Sequence, residues 1–286
     1  MPLFIKSFFH EPTFTVSYLV ADPATRDGAV IDSVLDFDPR SGRTGTASAD
    51  RILAAARDAG VRIGWILETH AHADHLSAAP HLKAQTDAQV VIGADITKVQ
   101  GVFKDVFNAV DMPTDGRQFD RLVRDGDRLP LGRLEIEVMH TPGHTPACVT
   151  YRIGDAAFVG DTMFMPDYGT ARADFPGGDA RTLYRSIRRI LSLPPETRLF
   201  MCHDYKAPGR DHFAWETTIA EERSKNIQVH DGVTEDDFVR LRQARDRTLD
   251  MPVLILPSIQ VNMRAGHMPP ADSNGTVYLK LPVNRL

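Results

Sequence analysis

A short segment of the chain concentrates side chains that bind metal ions. Residues 70–75 read His-Ala-His-Ala-Asp-His, so three histidines and one aspartate fall within six positions. Imidazole nitrogens and carboxylate oxygens suit zinc, iron, manganese or cobalt, and the shortage of cysteine argues against a structural zinc site. The alternative is a polar helix start in which Asp74 is the cap and the histidines are solvated. The density of ligating side chains favours a site that binds one or two metal ions and does chemistry there.

Three more ligating residues lie far from this segment in the sequence. His144 follows a Thr-Pro-Gly turn, which can direct an imidazole inward from the end of a strand. Asp161 follows Gly160, whose lack of a side chain permits close approach of the backbone. His203 ends another apolar stretch. Each would be structural if taken alone, but donors at four predicted strand ends indicate one shared metal site.

Apolar segments of strand length and helix length alternate along the chain and place these donors. Strands are predicted at residues 1–10, 13–20, 29–34, 63–67, 89–92, 134–139, 148–153, 156–160 and 199–202. Helices are predicted at residues 51–59, 76–85, 96–110, 181–191, 215–226 and 235–248, with caps at Asp50 and Asp179. Residues 39–48 read as a loop, and an irregular, proline-rich tail follows the last helix. This pattern is typical of an α/β layered fold.

The composition is that of an ordinary globular protein, with 42% apolar and 25% charged residues among 286. The net charge is −5 with both signs interspersed, which disfavours binding to nucleic acid or to an anionic membrane. We find neither an apolar run that could span a bilayer nor the features of a signal peptide. Two cysteines are too few for a disulfide framework, so we expect a cytoplasmic protein.

The order of the motifs is similar to that of a known family. Residues 69–75, 142–145 and 160–161, together with His203, resemble the five-motif signature of the metallo-β-lactamase superfamily. The resemblance implies an α/β fold, an αββα sandwich of two mixed sheets flanked by helices, with the metal site at one edge. It also implies one domain over residues 1–286, with a core at about 1–205 and a helical and irregular extension at about 206–286. Glyoxalase II, lactonases, β-lactamases, nucleases and flavodiiron proteins share the signature, so the fold does not define the reaction.

Longer matches narrow the resemblance to one branch. The sequence is similar to the persulfide dioxygenases, or sulfur dioxygenases, the branch that includes the ethylmalonic encephalopathy protein. The matching segments are residues 140–151, 160–162, 172–175, 182–184, 203–205 and 262–264. Residues 168–172 and the loop at 36–48 resemble the bacterial members of this branch.

This resemblance implies one Fe(II) per chain, bound by His70, His144 and Asp161. Such a 2-His-1-carboxylate triad leaves positions open for a substrate sulfur and for O₂. The implied reaction oxidises glutathione persulfide, or the persulfide of a similar small thiol, with O₂ and water to sulfite and the thiol. The family also suggests a homodimer. The remaining signature residues would orient the triad or hold a second metal, and they are His72, Asp74, His75 and His203.

The resemblance also points to residues near the substrate. Arg172 would pair with a carboxylate of glutathione or fix a loop through Asp174, and these two roles are equally favoured. Tyr205 would donate a hydrogen bond to the substrate or pack at the sheet edge. Arg264 lies in a matched segment and is a third candidate for substrate binding. Cys148 and Cys202 lie near the expected ligands, but buried small apolar side chains are the favoured interpretation.

Two other functions remain open. A glyoxalase II-like thioesterase with two zinc ions would use all the same ligands. Residues 203–205 and the C-terminal third disfavour it, since the basic substrate-binding end of glyoxalase II is missing. A non-enzymatic metal or sulfide sensor of the same fold would usually lack a ligand, and none is missing in this sequence.

Overall fold

Two mixed sheets lie at the centre of the fold in the computed structural model, which describes residues 2–285. The first has six strands in the order β1 (Phe4–His10), β2 (Thr15–Ala21), β3 (Asp27–Ile31), β6 (Arg62–Leu67), β8 (Gln89–Gly93) and β9 (Arg121–Val123). The second has six in the order β10 (Arg128–Leu131), β11 (Leu134–His140), β12 (Val149–Ile153), β13 (Ala156–Phe158), β14 (Arg198–Phe200) and β15 (Glu216–Thr218). A small sheet joins β5 (Arg43–Gly45), β4 (Val34–Asp38) and β7 (Leu76–Ser77). Met1 and Leu286, the ends of the predicted single domain, lie outside the described residues.

Strand β2 shows why the two sheets stack. All seven of its residues are buried, because successive side chains enter two different cores. Val16, Tyr18 and Val20 pack between the two sheets with side chains of the second sheet. Leu19 and Ala21 pack on the other face, against helices. A strand buried on both faces lacks a regular alternation of polar and apolar residues, and residues 18–21 of this strand are indeed continuously apolar.

Helices cover both outer faces of the stacked sheets. The first sheet packs against α1 (Ala47–Asp58), α2 (Ala79–Thr86), α3 (Ile96–Val106) and α7 (Ile255–Asn262). The second sheet packs against α4 (Ala180–Ile190), α5 (Ile219–Lys225) and α6 (Glu235–Asp246). Helix α4 begins at Asp179, whose side chain accepts a hydrogen bond from the Thr182 amide as predicted. The layer order of helices, sheet, sheet and helices confirms the predicted αββα sandwich.

Several predicted boundaries are wrong for local reasons. Helix α1 starts at Ala47, so Asp50 lies inside its first turn, and the predicted loop at 39–48 also contains β5. Residues 215–226 split into β15 and α5, since Thr218 accepts from the Glu221 amide and starts the helix there.

The tail contains a helix that its prolines concealed. Helix α7 has Pro257 in its first turn, where a missing amide proton breaks no intrahelical hydrogen bond. Its buried Ile255 and Ile259 join the core under the first sheet. This part of the extension is therefore regular structure packed on the core, which the predicted irregular tail did not anticipate.

Within residues 2–285, no helix has the length and apolar character that crossing a membrane would require.

Candidate metal centre

The ligating residues predicted from sequence converge at one edge of the stacked sheets. His70 follows β6, His144 lies in the connection between β11 and β12, and His203 follows β14. Asp161 lies in a short 3₁₀ turn after β13. Gly160 permits this approach, because its φ is 52° and a Cβ atom there would lie 2.5 Å from Thr69 Oγ1. Residues from four separate connections thus meet in one small volume.

His70, His144 and Asp161 form the first group of donors, which we call the triad cluster. One ligand atom from each lies within 4.8 Å of the others. Asp161 Oδ2 lies 3.8 Å from His70 Nε2 and 3.7 Å from His144 Nε2. The two imidazole rings are nearly perpendicular, with centroids 5.1 Å apart. The three donors therefore surround one point rather than stacking on each other.

Hydrogen bonds fix which ring nitrogen carries the proton in both histidines of the triad cluster. Thr69 Oγ1 donates to Asp32 Oδ2 at 2.9 Å, so it accepts from His70 Nδ1 at 3.0 Å. His144 Nδ1 donates to the carbonyl of Arg172 at 2.8 Å. Each Nε2 is thereby left with its lone pair directed at Asp161. Burial and the neighbouring imidazoles also hold the pKa of His70 well below its usual value, which keeps the ring neutral.

A second group, which we call the four-residue cluster, contains His72, Asp74, His75 and His203. Each of its members offers a ligand atom within 4.8 Å of the others. His203 Nε2 lies 3.2 Å from Asp74 Oδ2 and 3.4 Å from Asp161 Oδ1, so the two clusters are adjacent. Its Nδ1 donates to the Phe14 carbonyl at 3.3 Å, which leaves the Nε2 lone pair facing both carboxylates. Burial lowers the pKa of His75 to about 4.

His72 differs from the other histidines because two buried carboxylates hold it. Its Nε2 lies 3.0 Å from Asp32 Oδ1 and 3.4 Å from Glu68 Oε2. Burial disfavours the charged ring, but these carboxylates raise the pKa of His72 well above its usual value. Asp32 also accepts from the Thr69 amide at 2.7 Å, so it orients both His70 and His72.

Sequence reasoning missed Asp32 and Glu68. A signal existed, since each directly follows an apolar strand, as the predicted ligands do. It also assigned no role to Asn262, at the end of α7. The Asn262 side-chain amide donates to the carbonyls of His72 and His75 at 2.8 and 2.7 Å. Its Oδ1 accepts from the Ser77 amide at 2.8 Å, so the C-terminal helix holds the backbone of residues 70–75 in place.

The arrangement fits a metal ion. Several buried atoms that could ligate a metal have no hydrogen-bond partner among the described residues, namely His70 Nε2, His72 Nδ1, His75 Nε2, His203 Nε2 and Asp161 Oδ1. Ring nitrogens and carboxylate oxygens that are buried without a hydrogen-bond partner carry a free-energy cost. A cation bound by nitrogen and oxygen removes that cost. The His/Asp clusters therefore indicate a metal site.

A cavity of about 680 Å³ opens beside the clusters. His144, Asp161 and Asp74 contribute to its wall, as do aromatic rings. The Tyr205 ring stacks on His203, with centroids 5.5 Å apart and an angle of 17° between the rings. The rings that line this wall, which we call the aromatic wall, are Phe14, Phe164, Tyr168 and Tyr205. Small molecules can thus reach the triad cluster along an aromatic surface.

The three predicted substrate-binding residues lie in different surroundings. Tyr205 lines this cavity. Arg172 lines it too, but its guanidinium forms two bonds to Asp174, at 2.6 and 2.9 Å, and a third to the Asp250 carbonyl. Arg264 instead pairs with Asp111 at 2.7 Å and lines a separate cavity of about 330 Å³.

The two cysteines are free and buried, as the interpretation as small apolar side chains predicts. Burial raises the pKa of the Cys148 thiol to about 12, although the Thr145 backbone amide donates to its sulfur. A thiol with so high a pKa carries little thiolate at neutral pH, so it is a poor nucleophile.

Comparison with known proteins agrees with this fold and site. The model of the metallo-beta-lactamase superfamily matches residues 10–203, which span all members of the triad cluster and the four-residue cluster. The chain belongs to the metallo-beta-lactamase superfamily and is an enzyme of that family.

Among three similar proteins, one is named a probable metallo-hydrolase and two are named ETHE1. A probable metallo-hydrolase of Burkholderia pseudomallei is 57% identical over 99% of this chain and 99% of its own length. The mitochondrial persulfide dioxygenase ETHE1 of Homo sapiens is 29% identical over 94% of this chain and 91% of its own length. The crystal structure of ETHE1 from Myxococcus xanthus, 31% identical, covers 92% of this chain and 100% of that chain with a TM-score of 0.74.

Proposed function

We propose that this protein is a persulfide dioxygenase with one Fe(II) per chain. Its substrate is the persulfide of a small thiol such as glutathione. The reaction consumes one O₂ and one water, releases the thiol, and converts the terminal sulfur into sulfite. Two oxygen atoms of the sulfite come from O₂ and the third comes from water.

The triad cluster carries this proposal. His70, His144 and Asp161 would hold the iron as two neutral nitrogens and one carboxylate, the ligand set typical of non-heme Fe(II) oxygenases. When bound there, Fe(II) supplies the one-electron chemistry with O₂ and open positions for ligands. Two of the three residues, His144 and Asp161, contribute to the wall of the cavity. An approaching sulfur therefore meets the triad cluster from the cavity side.

The protein's own groups prepare this site before any substrate arrives. Thr69 and the Arg172 carbonyl hold His70 and His144 in the tautomers that present Nε2. Since these bonds exist in the folded protein, no ring has to turn when the site is used. The aromatic wall beside the cluster has few polar atoms, which limits ordered water near a reactive sulfur species.

Two of the similar proteins, both named as ETHE1, support the proposal. Human persulfide dioxygenase aligns with 94% of the chain and the ETHE1 structure from Myxococcus xanthus covers 92% of it, so each match includes most of the C-terminal extension. The more similar Burkholderia pseudomallei protein is named a probable metallo-hydrolase.

A second candidate is a two-metal hydrolase, and the four-residue cluster favours it. Its donors lie close enough to hold a second ion, with Asp161 facing both clusters. In that case the chain would activate water for attack on a thioester carbonyl, as glyoxalase II-like enzymes do.

Metal analysis combined with oxygen uptake tests the proposal. Protein purified with iron supplied should contain one iron per chain and consume one O₂ per glutathione persulfide, with sulfite as product. S-Lactoylglutathione should not be cleaved. Two zinc ions per chain, thioester cleavage and no oxygen uptake would contradict the dioxygenase and support the hydrolase.

A further inference from the structure

Three arginines line the cavity beside the triad cluster, and two of them are already engaged. Arg172 forms a bidentate pair with Asp174. Arg242 is buried and pairs with Asp246 at 2.8 Å, while it also donates to the Thr170 carbonyl at 3.0 Å. Both guanidinium groups are thus already paired with a carboxylate of the protein.

The third arginine, Arg245, is different. It lies in the last turn of α6, is exposed, and within residues 2–285 has no carboxylate within 4.0 Å of its guanidinium. The positive charge of Arg245 acts on the aromatic wall. Burial raises the pKa of Tyr168, and the charge of Arg245 partly offsets this rise. Arg245 is therefore the cavity-lining arginine with a fork of donors available to a ligand.

The acidic residues that line the cavity do not neutralise the charge of Arg245. Asp74 and Asp161 belong to the donor clusters, and Asp167 pairs with Arg210 at 2.7 Å. Asp250 lines the cavity near Leu249, but it lies beyond ion-pair distance of Arg245. A cavity with an available guanidinium and an aromatic wall fits a ligand that carries a carboxylate.

Stabilisation of helix α6 would also explain an arginine at position 245. A cation in the last turn of a helix interacts favourably with the helix dipole, whatever it faces. Arg247, two residues later at the C-cap of α6, meets the same description and does not line the cavity. A comparison of Arg245 with Arg247 therefore distinguishes ligand binding from interaction with the helix dipole.

We infer that Arg245 is a specificity-determining residue that binds a carboxylate of the thiol carrier, so that the enzyme selects peptide thiols such as glutathione over uncharged thiols. The choice of a thiol carrier rests on the proposed function. The carboxylate preference rests on the charges that line the cavity.

Titration calorimetry with glutathione, the unreacted carrier, tests this inference on the metal-loaded protein without O₂. Arg245→Gln should raise the Kd about tenfold, because a charge-assisted hydrogen bond to the ligand is lost. Arg247→Gln should change it less than twofold. Glutathione diethyl ester, which lacks both carboxylates, should bind the wild type and Arg245→Gln with equal Kd. The wild-type Kd for glutathione should rise with salt more steeply than that of Arg245→Gln.

Three results would overturn the inference. They are a Kd of Arg245→Gln within twofold of the wild type, an equal loss in Arg247→Gln, or no measurable glutathione binding by the wild type. Circular dichroism checks that both variants are folded. Because binding requires no turnover, failure of the proposed function appears separately, as the absence of oxygen uptake by the wild-type protein. A tenfold change in Kd would then still assign Arg245 to carboxylate binding.

Discussion

The two donor clusters use the same kinds of side chains but have different neighbours. In the triad cluster, neutral groups orient the histidines, a threonine hydroxyl for His70 and a backbone carbonyl for His144. In the four-residue cluster, His72 lies against Asp32 and Glu68, two buried carboxylates. Neutral acceptors fix a tautomer and leave the ring neutral, whereas carboxylates favour a protonated ring. Donor type alone therefore does not make two clusters equivalent as metal sites.

Removal of one carboxylate from each cluster should give the largest difference between them. We expect Asp161→Ala to lose bound iron and more than about 100-fold of the oxygen-uptake activity, since a direct ligand is lost. Asp74→Ala should retain part of its iron and activity. Iron content by mass spectrometry, with oxygen uptake under saturating iron, measures both. The opposite order, with Asp74→Ala losing more iron, would make the four-residue cluster the principal site.

Reversal of the hydrogen bonds that orient His70 should have the next largest effect. In Asp32→Asn the side-chain NH₂ can donate to Thr69 Oγ1, which then donates to His70 Nδ1 and moves the ring proton to Nε2. We expect iron affinity to fall about 10- to 100-fold, the usual cost of losing such an orienting group. The control is Asp36→Asn, because the Asp36 carboxylate accepts a hydrogen bond from the Ser48 hydroxyl and belongs to neither cluster. Equal iron affinity in wild type and Asp32→Asn would show that the tautomer is not held in this way.

The link between the C-terminal helix and residues 70–75 should contribute mainly to stability. Asn262→Asp keeps the shape of the side chain but removes the two bonds to the carbonyls of His72 and His75. We expect the free energy of unfolding to fall by about 2 kcal/mol, the cost of leaving buried carbonyls unpaired. Urea denaturation measures it, with the exposed Asn274→Asp as control. Unchanged stability would mean that this contact is not needed to hold the motif.

Glu222, a buried carboxyl that belongs to neither cluster, gives a reference for Asp32 and Glu68. Within residues 2–285 no basic side chain lies within 4.0 Å of the Glu222 carboxylate, and burial raises its pKa to about 8 from a usual 4.5. Between these values the folded state binds more protons than the unfolded state. The contribution of Glu222 to the free energy of unfolding should therefore fall as the pH rises from 4.5 to 8, by at most about 1.4 kcal/mol per pH unit, and level off above.

Compared with the wild type, Glu222→Gln should lose this contribution to the pH dependence, whereas Glu221→Gln, on the exposed face of the same helix, should keep it. Urea unfolding at several pH values compares them. A decline of equal slope in Glu222→Gln would assign the proton uptake to another group.

Much of the fold could be predicted from local sequence. The apolar run of β2, the Asp179 cap of α4 and most strand limits depend on neighbours within a few residues. Helix α7 was missed because Pro257 resembles a helix breaker until its position in the first turn is known.

By itself the sequence determined the family, the layered fold and the set of candidate metal ligands, because residue type and spacing within 70–75 are local properties. Only the tertiary structure decided which donors face each other. The triad cluster joins connections from distant strands, and Asp32 reaches His72 from 40 positions away. The tertiary structure also decided which charged side chains are free to bind a ligand. Whether an arginine forms an ion pair within the protein depends on neighbours that are distant in the sequence. Arg172 and Arg264 thus lie in ion pairs, while Arg245, never singled out in the sequence, faces the cavity without one.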